Sequence, residues 1–337
     1  MERELILSVR NLRTEFSLRA GLLRAVNDVS FDLARGEMIA LVGESGCGKS
    51  VTVKSLLRLV HKPGKVYGTA TFTKDDGEKV DLIALNEKGR AIRSIRGKMI
   101  NMVFQEPMNA LSPVHTVANQ MIEGIRLHTG MTKKQARARA IELLGMVGIP
   151  QPEKRVDSYS FQLSGGMRQR VMIAMAISCN PSLLIADEPT TALDVSMQAQ
   201  ILKLLRDIQK ETGMSMIFIT HDLAVVAQMV DRVCVMYLGQ IVEDAPVREI
   251  FENPFHPYTK SLMASILDPG DERADRRIDA IEGSVPEPID LPDVCPFRDR
   301  CRARDGALCL DEVPAMFEAS PGHFVRCHLV GKGGVNP

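Results

Sequence analysis

The sequence predicts an α/β fold: a phosphate-loop core with an antiparallel β subdomain and a helical subdomain, plus a small C-terminal cysteine-containing module. Three observations predict it. An unbroken apolar strand runs into a glycine-rich loop and then a helix. Strands and helices alternate on both sides of a mostly helical stretch. Beyond about residue 251, prolines break every period and four cysteines gather.

The chain's 337 residues suit one large domain with an appendage. Residues 1–250 read as the large domain, with its helical subdomain over about 106–180, and residues 251–337 as the C-terminal module. Lysine plus arginine equals aspartate plus glutamate at 42 each, so no overall field favours nucleic acid, and no nucleic-acid partner is expected. No apolar run approaches the roughly 20 residues that cross a bilayer. The start, MERELILSVRNL, lacks the layout of a secretory signal. A membrane role is therefore expected to be peripheral, from the cytoplasmic side and through a partner.

Alternation predicts strands at Ile6–Val9 and Val29–Leu33. Met38–Val42 is continuously apolar, as a strand buried on both faces should be. A helix follows from Ser50 to Val60. KKQARARAIELLGMVG has helical spacing and stops at Gly148, with Pro150 and Pro152 beyond. The core resumes with a strand at Leu183–Ala186, a helix at Gln198–Lys210 and a strand at Met216–Thr220. Two closing strands, Arg232–Met236 and Gln240–Val242, flank Leu238-Gly239.

The strongest local signal is Gly43-Glu44-Ser45-Gly46-Cys47-Gly48-Lys49-Ser50, followed by Val51, between a strand and a helix. Glycines allow a tight loop whose N–H groups point inward, and the helix start adds positive potential for phosphate. Lys49 is expected to bridge the outer phosphates of a nucleotide, and the Ser50 hydroxyl to ligate Mg²⁺. Cys47 admits two readings: a reactive thiol with lowered pKa, shielded by bound ATP, or an inert small residue. Leu183–Ala186 ends in Asp187 and Glu188, a pair suited to hold the Mg²⁺ shell and to deprotonate an attacking water.

Leu163-Ser164-Gly165-Gly166-Met167, then the acidic strand, Thr191-Ala192-Leu193-Asp194 and Thr220-His221-Asp222 give the chain its resemblance to ABC ATPases, over roughly residues 5 to 250. The resemblance implies Phe16 as the ring on adenine and Gln105 as a Mg²⁺-sensing residue that links core and helical subdomain. It implies Ser164, Gly165 and Gly166 as a signature loop that completes the ATP site of a partner subunit. It further implies Asp194 at the dimer interface, and His221 beside the γ-phosphate with Glu188 as catalytic base. Coupling to membrane partners is implied near Gln105 and Pro107–Val117.

The tail narrows the resemblance. Asn253-Pro254-Phe255-His256-Pro257-Tyr258-Thr259, Gly283-Ser284-Val285-Pro286 and Cys295-Pro296-Phe297-Arg298-Asp299-Arg300-Cys301 resemble the ATP-binding subunits of oligopeptide and dipeptide importers. The spacing Cys295-x5-Cys301-x7-Cys309-x17-Cys327 offers four thiolates for a [4Fe–4S] cluster or for zinc. Family resemblance favours iron–sulfur, in a structural role. Implied partners are a second ATPase subunit (a paralogue, giving a heterodimer), two permeases and, indirectly, an extracytoplasmic solute-binding protein. Nickel, glutathione or another solute is an alternative cargo. A soluble ABC ATPase of DNA repair is a different class, but its coiled coil or zinc insertion has no counterpart between residues 105 and 180.

Overall fold

The computed structural model describes residues 4–105, 110–191, 193–264, 281, 283–304 and 308–331. Ala192, residues 107–109 of the Pro107–Val117 segment, and 265–280 with Pro269 lie outside them. The strands are β1 (Leu5–Leu18), β2 (Gly21–Ala34), β3 (Met38–Val42), β4 (Gly64–Thr73), β5 (Lys79–Asp81), β6 (Ile100–Val103), β7 (Leu183–Asp187), β8 (Ser215–Ile219), β9 (Arg232–Tyr237), β10 (Gln240–Pro246), β11 (Phe317–Ser320) and β12 (His323–Val325). They fall into two compact units. One holds the chain up to Leu7, Leu33–Glu37 and Phe72–Ile219; the other holds Ser8–Asp32, Met38–Thr71 and the chain from Thr220 onward.

In the first unit β6, β7 and β8 run parallel, with Leu183 opposite both Ile100 and Ser215. Every residue of β7 and β8 is buried, which explains their unbroken apolar runs. Helices Val117–Thr129 and Lys133–Met146 pack on each other, and Gly165–Ile177 packs on both. The helix Lys133–Met146 buries Ala136, Ala140, Leu143 and Leu144, the three-and-four spacing of its apolar stripe. Side chains cap each start: Thr116 accepts from Asn119 N, Thr132 from Gln135 N within a capping box, and Ser164 from Met167 N. The helix expected at Gln198–Lys210 begins earlier, at Val195, because Asp194 caps it.

In the second unit β1 lies between β2 and β4. Both β1 and β2 outrun the strands their alternation predicts. Asn11 and Asp28 take left-handed backbone conformations (φ 49° and 57°), and Asn11 Nδ2 donates to Asp28 Oδ1 at 2.7 Å. Each kink shifts the alternation by a step and hides the strand's continuation. The helix after the glycine-rich loop ends at Leu56, before the expected Val60, because Arg58 turns left-handed (φ 53°).

Here β3 pairs parallel with β9, and β9 turns back into β10 through Leu238 (φ 43°) and Gly239 (φ 77°). Two left-handed residues in succession suit a tight hairpin. The C-terminal residues join the same sheet: β12 pairs with β10, Glu243 opposite Val325, and β11 adds to β12. Beside them Tyr237, Tyr258 and Phe297 form a ring nest with centroids 4.8 to 5.4 Å apart. The carboxylate of Glu243, fully buried, accepts from Phe255 N (2.6 Å) and His256 N (3.0 Å) and hydrogen-bonds His323 Nε2 (2.7 Å). Burial drives the His256 pKa down to about 4, against the opposing pull of Glu243.

Candidate functional site

In the second unit the loop 43–48 joins buried β3 to the helix Lys49–Leu56. Its glycines are required from within the chain. A Cβ on Gly43 (φ 148°) would fall 2.2 Å from Met236 O, and one on Gly48 (φ 103°) 2.3 Å from Ala25 O. The loop is tied down by Gly239, whose N–H donates to Cys47 O (2.9 Å) and whose carbonyl accepts from Asn27 N (2.8 Å). The Lys49 ammonium, buried, donates to Gly43 O (2.8 Å) and Glu44 O (3.0 Å). Ser45 and Gly46 are exposed, while Ser50 and Val51 at the helix start are half-buried. The loop therefore holds the Lys49 ammonium against its own carbonyls at the start of the helix.

Cys47 takes the inert reading. Burial pushes its thiol pKa up despite the nearby Lys49 ammonium, and its side chain is closed off from solvent. Phe16, on β1, packs over Gly64, where a Cβ would lie 2.7 Å from its ring. His221 is exposed at a bend, just ahead of Asp222, which caps the helix Leu223–Met229 by accepting from Ala224 N (3.0 Å) and Val225 N (3.3 Å).

In the first unit Asp187, 2% exposed, ends β7. Glu188 follows in a left-handed conformation (φ 46°), its N–H donating to Ile219 O at 2.9 Å. For a non-glycine residue that backbone costs about 1–2 kcal/mol and turns the side chain out of the strand direction. Gln105 Nε2 at 2.8 Å and Thr191 Oγ1 at 2.9 Å both donate to Oε2 and fix the carboxylate. The carboxylate is half-buried and oriented, as a general base must be. Gln169, 2% exposed, donates to Pro189 O next door and ties the helix Gly165–Ile177 to this turn.

The same unit brings Ser164–Gly166 to Asp194. Asp194 caps the helix Val195–Thr212 by accepting from Met197 N (2.9 Å), and Met197 Cε occupies the space where a Cβ on Gly166 would go. Gly165 differs, since a Cβ there would meet nothing within 4 Å. Beside Asp194, Val195 is 84% exposed, an apolar side chain with no cover. Composition and spacing gave no role to Thr191, Gln169 or Met197. A hydroxyl three residues after Glu188 was the only local signal for the first, and the others act across 20 or more positions of sequence.

All seven cysteines are free thiols. Cys295, Cys309 and Cys327 are buried and Cys301 is half-buried; the pKa values of Cys295, Cys301 and Cys327 are raised by burial and by neighbouring thiols of this set. That of Cys295 reaches about 11. Among the described residues, no group of three or more His, Cys, Asp or Glu stands close enough to hold a metal ion. Also among them, no helix is long and apolar enough to cross a membrane.

The chain matches the family model described as ABC transporter over residues 26–191, and the one described as oligopeptide/dipeptide transporter, C-terminal region, over residues 242–309. It is 46% identical over 330 residues to the oligopeptide transport ATP-binding protein AppD of Bacillus subtilis strain 168, covering 98% of each chain. The dipeptide transport ATP-binding protein DppD of the same strain is 46% identical over 327 residues, covering 97% of this chain and 95% of that protein. A solved structure of the ATP-binding cassette MJ0796, a dimer in a post-hydrolysis state bound to ADP and Pi, is similar with a TM-score of 0.62. It is 26% identical and covers 72% of this chain and 99% of that one.

Proposed function

Because the chain belongs to the ATP-binding subunits of ABC transporters, in the branch with an oligopeptide/dipeptide transporter C-terminal region, we infer that it hydrolyses Mg-ATP to power import of di- or oligopeptides through membrane permeases. Its α/β fold is that of ATP-binding cassettes. The observation that carries the activity is the orientation of Glu188 by Gln105 and Thr191 on a left-handed turn.

Each site residue then has a chemical part. The N–H groups of 43–51 and the Lys49 ammonium receive the phosphates, and Lys49 gives up its loop carbonyls as they enter. Ser50, Gln105 and Asp187 supply the hard oxygen donors that Mg²⁺ prefers. Glu188 takes the proton of the attacking water, and His221 contacts the γ-phosphate. Phe16 stacks on adenine.

Ser164, Gly165 and Gly166 complete the nucleotide site of a partner ATPase subunit, with Asp194 at that interface. The open surroundings of Gly165 and the bare Val195 support this reading, because among the described residues no atom stands within 4 Å of a Cβ at 165. The partner is a paralogue in a heterodimer. Two permeases complete the assembly on the cytoplasmic face of the membrane, served by an extracytoplasmic binding protein. Residues 1–250 form the ATPase domain, with its helical subdomain over about 106–180, and residues 251–337 the C-terminal module.

Cys295, Cys301, Cys309 and Cys327 are the proposed ligands of a structural [4Fe–4S] cluster. Zinc bound by the same four thiolates is the alternative. Each of Cys295, Cys301 and Cys327 has another thiol of the set among the causes of its raised pKa, which supports one shared site. When bound, the cluster would cross-link the tail.

The activity is tested with Glu188→Gln in the assembled transporter. Turnover falls on the order of 100-fold or more while ATP still binds; undiminished turnover sinks the assignment.

A further inference from the structure

The phosphate loop is gripped from outside by the cysteine-bearing segment. Arg300 closes the short turn Arg298–Arg300, between Cys295 and Cys301. Its guanidinium, with the side chain 6% exposed, forms a fork on the Glu44 carboxylate: Nη1 to Oε2 at 2.7 Å and Nη2 to Oε1 at 3.0 Å. The remaining reach of the guanidinium is used too, on Gly283 O (3.2 Å) and over the Tyr237 ring. Such paired, charge-assisted bonds fix direction as well as distance.

Glu44 is held three ways. Its side chain lies on Arg300, its N–H donates to Tyr258 Oη at 3.0 Å, and its carbonyl accepts from Lys49 Nζ. The segment that carries Arg300 is itself anchored to the start of β2. Arg24 N donates to Pro288 O, Asp290 N to Leu22 O, and Leu22 N to Asp290 Oδ1, each at 3.0 Å. A Cβ on Gly21 would strike Asp290 Oδ2 at 2.0 Å, and Leu23 pairs with Ile289 in an antiparallel bridge.

We propose that Arg300 is a positioning residue for ATP binding: through Glu44 it sets where the phosphate loop presents Lys49, and so makes the 295–301 turn a determinant of nucleotide affinity. This rests on the phosphate-binding role proposed for that loop. Arg300 acts through Glu44 and needs no contact with nucleotide. Without the fork, the Glu44 side chain loses both bonds to Arg300, and the carbonyl that receives Lys49 is held less firmly, by Tyr258 and Lys49.

The test uses the full chain and its variants R300M, R300K, E44Q and R300M/E44Q, titrated with a fluorescent ATP analogue and Mg²⁺. KM and kcat are measured in the assembled transporter. R300M is expected to raise the ATP Kd and KM on the order of fivefold, with kcat moving by less than about twofold. R300K recovers part of the affinity, E44Q reproduces the loss, and the double variant binds no worse than E44Q alone. Unchanged affinity in R300M, or losses that add in full in the double variant, overturns the proposal. Should R300M not fold, Y258F removes a second hold on Glu44 and is expected to weaken ATP binding about twofold to threefold; no change there also overturns it. Wild-type protein that binds no nucleotide brings down the loop assignment and this inference together. Binding by wild type with all variants equal removes only the part given to Arg300.

Discussion

At the phosphate loop a Cβ on Gly48 would meet Ala25 O at 2.3 Å, whereas at the signature loop one on Gly165 meets nothing within 4 Å. Both loops open a helix with glycines, and both are assigned to phosphate. The first is shaped by its own chain: backbone presses on Gly43 and Gly48, Gly239 ties the loop down, and Tyr258 and Arg300 hold Glu44. Among the described residues, a Cβ on Gly166 would meet the tip of Met197 and one on Gly165 nothing within 4 Å. A glycine demanded by its own fold and a glycine left room by it report different partners. On the proposed function, the former serves folding and chemistry together, and the latter serves a molecule outside the chain.

Substitution at the two glycines tests that contrast most severely. Gly48→Ala forces a left-handed alanine against backbone and is expected to cost about 2–3 kcal/mol of stability as well as ATP binding. Gly165→Ala is expected to leave the unfolding midpoint within about 1 kcal/mol of wild type, while turnover of the assembled transporter falls on the order of 100-fold. Urea denaturation beside ATPase assays reads both. A large stability loss in Gly165→Ala would break the contrast.

A smaller effect sharpens it from the side of the phosphate loop's support. Tyr258 N donates to His256 Nδ1 at 3.0 Å, so that ring nitrogen must stay unprotonated. The folded pKa of about 4 lies below the ordinary 6.5, so an unfolded chain takes up a proton that the folded one refuses. Stability is therefore full above about pH 6.5 and is lost as pH falls toward 4, by about 2 kcal/mol at pH 5. His256→Asn, which keeps an acceptor and cannot titrate, should flatten that slope in urea midpoints taken between pH 7 and pH 5.

The smallest expected effect lies in the other unit. Thr191→Val removes a donor on Glu188 Oε2 and should lower kcat about fivefold with little change in KM. An equal rise in KM would mean that Thr191 acts on binding.

Much of this was legible wherever chemistry is local. The strand–loop–helix around Lys49 and the apolar strand ending in Asp187 carry their reasons within a few residues. The strands β1 and β2 were only half legible, because Asn11 and Asp28 break the alternation at the kink that pairs them. Cys47 stayed open for a related reason: its place at a helix start allows an acidic thiol or an inert one, and only the fold shows it sealed off. The Arg300–Glu44 fork joins residues 256 positions apart, and no window of sequence reveals that distance closed.

Hairpin tips are where engineers most readily lengthen a chain, since an added residue there commonly disturbs nothing. The Leu238–Gly239 tip is an exception. Gly239 gives its N–H to Cys47 and its carbonyl to Asn27, and a Cβ on it would stand 2.9 Å from Ala25 O. An epitope or tag spliced into that corner would pull the floor from under the nucleotide cradle, however innocent the site looks on a topology diagram.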